Sequence, residues 1–123
     1  MGQSSTVSST SRREVLDSLI NFNIDLEAVK IALAKFAWDS PEEVTLKTKH
    51  IQSILERFIH GDLSSVDVEN WANLVEGRED IAYDEQDKST LKQLVFELAN
   101  PILAGALDHQ RAENLLGKLG RSE

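Results

Sequence analysis

Ile51, Ile54, Leu55, Phe58 and Ile59 recur at the spacing of a single helix face, and Gly61 stands where such a helix has to stop. Leu63-Ser64 then restarts the pattern. The Ser64 hydroxyl is placed to cap the backbone amide of Asp67, and Leu63 and Val68 have the separation of a hydrophobic staple. Val68, Trp71, Ala72 and Val75 form the next apolar stripe, and Gly77 is placed to terminate it. Two amphipathic helices joined by so short a link must fold back on each other as an antiparallel or crossed pair. The rest of the chain has to complete a core around that pair.

Helical spacing continues on both sides. Ser11 and Glu14 form a capping box ahead of Val15, Leu16, Leu19 and Ile20, predicting a first helix that ends near Asn21. A second helix is predicted from Asp25 to Ala37, with Leu26, Val29, Leu33 and Phe36 on one stripe. The competing strand at Ile24 to Leu33 alternates poorly. Trp38-Asp39-Ser40-Pro41 breaks the chain, because Pro41 restricts the residue before it and lacks an amide donor. Leu91, Leu94, Val95 and Leu98 predict a helix stopped at Asn100-Pro101, and Asp108 caps a last one carrying Ala112, Leu115, Leu116 and Leu119, closed by Gly120. Met1 to Thr10 is polar apart from Val7 and predicts a disordered tail. No repeat occurs, and no two apolar runs alternate well enough to pair as a hairpin. The expected fold is all-α: a compact bundle of five or six helices in a single domain, 11–123, with a disordered N-terminal tail, 1–10.

Composition removes many activities. No apolar run reaches the ~20 residues that span a bilayer, and nothing resembles a signal peptide. Met1-Gly2 with Thr6 matches a myristoylation pattern, but no polybasic patch supplies the second anchor. The chain has no cysteine, which excludes disulfides, thiolate chemistry and Cys-ligated zinc and is compatible with a reducing compartment. A cytoplasmic protein with no membrane partner is expected. His50, His60 and His109 form no helical metal-binding pair, and His60, just before Gly61, suits a helix C-terminus. No Gly-x-Ser-x-Gly elbow or glycine-rich phosphate loop is present. The stretch from Asp84 fails as a calcium loop, with Ser89 in place of glycine and Val95 in place of glutamate. No metal, no cofactor and no catalytic residue is expected.

Charge is the positive signal. The chain carries 13 Lys and Arg against 21 Asp and Glu, a net −8, a sign that repels nucleic acid and attracts basic proteins. Between Asp62 and Asp87 stand nine acids and one base, Arg78, so this segment accounts for the whole imbalance. The plain alternative is a solvated helix face and loop. Arg78 to Asp87 reads as a polar surface connection in which Ile81 tucks the loop onto the bundle, whereas Tyr83 is flanked by acids as an interface anchor would be. Trp71, on an apolar stripe, is expected in the core. The candidate partner-binding residues are Glu76, Glu79, Asp80, Tyr83, Asp84, Glu85 and Asp87.

The segment from Ile54 to Ala72 resembles bacterial immunity proteins of the colicin D immunity type, on an aromatic-x-x-Gly-x-Leu-Ser link followed by an aromatic: Phe58, Gly61, Leu63, Ser64 and Trp71. The resemblance implies a small helical bundle that binds a cognate basic toxin, often an RNase, and fills its active site with carboxylates. This chain is longer than the family pattern, with extra material before His50 and around Arg78 to Asp87, so the contact residues are chosen from charge position. The expected function is an immunity-like inhibitor of a basic nuclease toxin, a monomer before binding and not an enzyme. The alternative is a non-catalytic helical adaptor or regulatory subunit that docks on another basic protein surface. An enzyme using Glu76 and Asp80 as paired carboxylates needs a sheltered pocket, against which an exposed loop argues.

Overall fold

A computed structural model describes residues 12–34 and 44–119. The expected tail, Ser11, Phe36, the break at Pro41 and Gly120 lie outside the described residues. Six of the elements are the predicted helices: α1 (Arg12–Asn21), α2 (Leu26–Leu33), α3 (Thr48–Ile59), α4 (Ser65–Glu76), α5 (Lys88–Ala99) and, after a one-turn α6 (Pro101–Ala104), α7 (His109–Lys118). The described residues are mostly helical, as the all-α expectation has it, and with the one-turn α6 they hold seven α-helices. The sequence pattern marks Pro101 as a stop. It also starts a helix, since a first-turn residue needs no amide donor.

Local chemistry sets the helix ends. Asp25 Oδ2 accepts from the amides of Glu27 and Ala28 at 3.1 and 3.3 Å, so the helical reading of this segment prevails over the strand. Before α4 the box is complete: Ser64 Oγ accepts from Asp67 N–H at 3.1 Å and Asp67 Oδ2 accepts from Ser64 N–H at 2.9 Å. Asp108 Oδ1 accepts from Arg111 N–H at 2.8 Å.

Helices α1 and α3 close with the same paired backbone bonds, from residues five and three places on, and each needs one left-handed residue. In α3 that residue is Gly61, φ +86°. In α1 it is Phe22, φ +49°, a conformation that costs an aromatic residue energy. Arg57 holds it there. Its guanidinium donates to Asn21 O at 2.7 Å and Phe22 O at 2.9 Å and lies 5.7 Å from the centroid of the Phe22 ring. Arg57→Ala is expected to lower the unfolding free energy by about 1.5–3 kcal/mol, the usual worth of hydrogen bonds from a charged donor, read as a shift of the urea midpoint.

One core unites these elements. Val15, Leu16, Leu19 and Ile20 of α1 meet Ile51, Ile54 and Leu55 of α3, the α4 stripe, and Leu91, Leu94, Val95 and Leu98 of α5, with Ala112, Leu115 and Leu116 closing the far side. The most extensive helix pairing is α4 along α5, followed by α3 against α7. Trp71 is fully buried at the centre, and its indole Nε1–H donates to Leu19 O at 2.7 Å.

Two short strands were not foreseen. β1 (Val44–Leu46) and β2 (Ile81–Tyr83) pair in parallel, with Val44 opposite Ile81 and Leu46 opposite Tyr83. Three residues are too few to display an alternation, and parallel partners lie too far apart in sequence for a hairpin signal. The strands correct the reading of Arg78 to Asp87 as a surface connection: Asp80 and Ile81 are buried, and only the flanks of the segment are open to solvent.

Candidate functional site

The β1–β2 ladder sets the site. Tyr83 ends β2 opposite Leu46, and the next amide, Asp84 N–H, donates to Leu46 O at 2.9 Å, continuing the ladder by one rung. Asp84 then turns the chain: its Oδ1 accepts from Gln86 N–H at 3.3 Å, starting a single 3-10 turn at Glu85–Asp87 that runs directly into α5. The loop is therefore anchored at both ends, by α4 and by α5.

The predicted residues do not form one surface. Glu76, at the end of α4, and Glu79, in the turn after it, are exposed and share a hollow of about 370 Å³ with Tyr83. Asp84 and Asp87 are half-buried and Glu85 is exposed, and none of the three lines that hollow. They form a second acidic step where the chain enters α5.

Asp80 has to be withdrawn from the surface set. It is 0 % exposed, and both its oxygens are engaged by Arg78, Nε to Oδ1 at 2.9 Å and Nη2 to Oδ2 at 2.7 Å. This two-point pairing of a planar fork with a carboxylate holds the turn together from inside. A group with no accessible surface cannot meet a partner, so Asp80 also leaves the paired-carboxylate reading with Glu76.

Two cations were missed. Lys88 and Lys92, at i and i+4 on α5, both line the Tyr83 hollow. Lys92 Nζ stands 5.9 Å from the Tyr83 ring centroid, and Lys88 lies 3.9 Å from Glu85. Both stand just after Asp87, where the acidic segment was taken to end. Their i,i+4 spacing on a helix beginning at that point was the available signal. Burial, followed by the nearby Glu76 carboxylate, pushes the Tyr83 phenol above its ordinary pKa of 10.0. The hydroxyl therefore stays protonated at neutral pH and available as a donor, in a hollow with carboxylates on one side and ammonium groups on the other.

Compared with family models, with curated proteins and with solved structures, the chain matches none.

Proposed function

We propose that the chain is a non-catalytic binding protein of the immunity kind, which neutralises a basic nuclease toxin by presenting Glu76 and Glu79 beside Tyr83, with Asp84, Glu85 and Asp87 as a second acidic step at the head of α5. The observation that carries this reading is the half-buried Tyr83 ring, held in one hollow with Glu76 and Glu79. An aromatic whose position is fixed by a strand, with carboxylates beside it, is the arrangement expected of an interface anchor. The carboxylates steer a cationic partner, and the ring supplies apolar contact area. The resemblance of the Ile54 to Ala72 hairpin to colicin D-type immunity proteins supplies the partner class.

The test is co-expression with the protein encoded beside its gene, followed by purification and an assay of that protein for RNA and DNA cleavage. A salt-sensitive complex in which cleavage is lost is the expected result. Combining Glu76→Lys, Glu79→Lys and Glu85→Lys should weaken the complex by roughly a thousandfold, on the scale of measured charge-pair couplings at interfaces. Unchanged binding in that variant, with the fold intact by circular dichroism, refutes the reading. The adaptor alternative draws on Lys88 and Lys92, which make the hollow mixed in charge and suit a partner that carries acids as well as bases. It predicts a complex with no effect on nuclease activity.

A further inference from the structure

A second hollow, of about 320 Å³, opens beside the start of α3 and the end of β1, and its character is the reverse of the Tyr83 site. Arg13 of α1 and Lys47 and Lys49 at the head of α3 line it, together with His50. Among the described residues these three cations enter no ion pair, although the chain as a whole is strongly acidic. Asp17, one turn after Arg13, is the one carboxylate on the lining and offsets one of the three charges.

His50 makes the hollow more than a basic patch. Its side chain is nearly all buried, with 7 % exposure. Nδ1 accepts from Lys47 N–H at 2.9 Å, so this nitrogen is unprotonated and the ring proton sits on Nε2. Burial first, and then the neighbouring Lys49, hold the ring below its ordinary pKa, with Asp17 opposing, so the neutral tautomer is kept at neutral pH. The Nε2–H donates to no described residue and reaches solvent at the hollow's edge. Lys47, the residue before α3, has no acceptor side chain with which to cap the helix; its carbonyl takes the His50 amide at 3.0 Å, and the amides of Thr48 and Lys49 have no side-chain acceptor among the described residues. Guanidinium, two ammonium groups, an imidazole N–H and helix-start amides are all donors. A ligand that satisfies them has several acceptor oxygens and more than one negative charge.

From the hollow that they share, the three cations without an ion pair among the described residues and the imidazole N–H left over beside them, we infer that Arg13, Lys47, Lys49 and His50 form a binding site for a phosphate dianion, free or as a monoester. The site shares no lining residue with the Tyr83 hollow and does not depend on the toxin reading.

The test is an amide and imidazole NMR titration of the full chain with sodium phosphate at pH 7.5, against sodium chloride at matched ionic strength. Saturable shifts at Lys47 to His50, including the His50 ring, are expected with phosphate and absent with chloride. Lys47→Ala combined with Lys49→Ala, both at exposed positions, should weaken binding by about tenfold or more. His50→Gln preserves the bond to Lys47 N–H, as glutamine does in a capping box, and leaves an amide donor in place of Nε2–H, so it should retain binding. Glycerol phosphate and vesicles of phosphatidylcholine with or without phosphatidic acid identify the source. Shifts with the soluble monoester and no vesicle binding assign a free phosphate, and vesicle binding that needs Lys47 and Lys49 assigns a headgroup. Shifts that fail to saturate, that chloride reproduces, or that survive the double lysine variant overturn the inference.

Discussion

Trp71→Ala is expected to lower the unfolding free energy by about 3–5 kcal/mol, the range for truncating a large buried aromatic. Two losses combine. The indole is fully buried in the core that α4 shares with α5 and α1, and residues carried on packed helices cannot collapse far into the space it leaves. The Nε1–H also supplies Leu19 O, near the end of α1, with a partner from another helix. Trp71→Phe separates the terms: it keeps much of the volume and loses the donor, so it should cost less than the alanine variant and still more than about 1 kcal/mol. Urea unfolding followed by far-ultraviolet circular dichroism gives both values. Because domains of this size are stable by only about 5–15 kcal/mol, the alanine variant should lose a large share of the total.

Asp80→Ala is expected to cost about 3–5 kcal/mol, although the residue stands in a turn next to Glu79, whose removal should cost under about 0.5 kcal/mol. The asymmetry follows from burial. Removing the carboxylate leaves the Arg78 guanidinium, whose side chain is 13 % exposed, without its two-point partner. It also loosens the turn that delivers Ile81 to the strand. In a binding experiment this variant would mimic loss of an interface contact while acting through the fold. The pair Asp80→Ala and Glu79→Ala therefore tells a structural carboxylate from a surface one: urea midpoints should separate the two widely, while any effect of Glu79→Ala on a partner should appear without a stability change.

What the sequence discloses about this fold is the part written at short range. Each helix that bears the core was legible because caps such as Asp25, Ser64 and Asp108 and stripes such as Ile51 to Ile59 are local patterns. The one-turn α6 hid behind Pro101, whose double role as stop and start looks the same in the sequence. The β1–β2 pairing was illegible because Val44-Thr45-Leu46 and Ile81-Ala82-Tyr83 acquire strand geometry only from each other. The candidate site suffered from the same limit. Charge counting found Glu76, Glu79 and the acids around Glu85, but it treats every carboxylate alike, and only burial separates Asp80 from them. Lys88 and Lys92 were assigned to the balanced remainder of the chain because a boundary in sequence does not respect a helix that continues past it. His50 is one of three unremarkable histidines in the sequence, and only the fold puts it in one hollow with Lys47 and Arg13.

The parallel ladder has a consequence in time. Its two strands are separated by the whole of α3 and α4, so during synthesis β1 emerges well before anything exists for it to pair with. Closing that span costs chain entropy before the few ladder bonds repay it, so the pairing belongs late in folding, after the α3–α4 hairpin has drawn the strands near. Tyr83 and Asp84 take their positions from that pairing. The helical scaffold is thus expected to assemble first and the proposed recognition surface last, and a nascent or briefly opened chain would have its core helices in place before the Tyr83 hollow is formed.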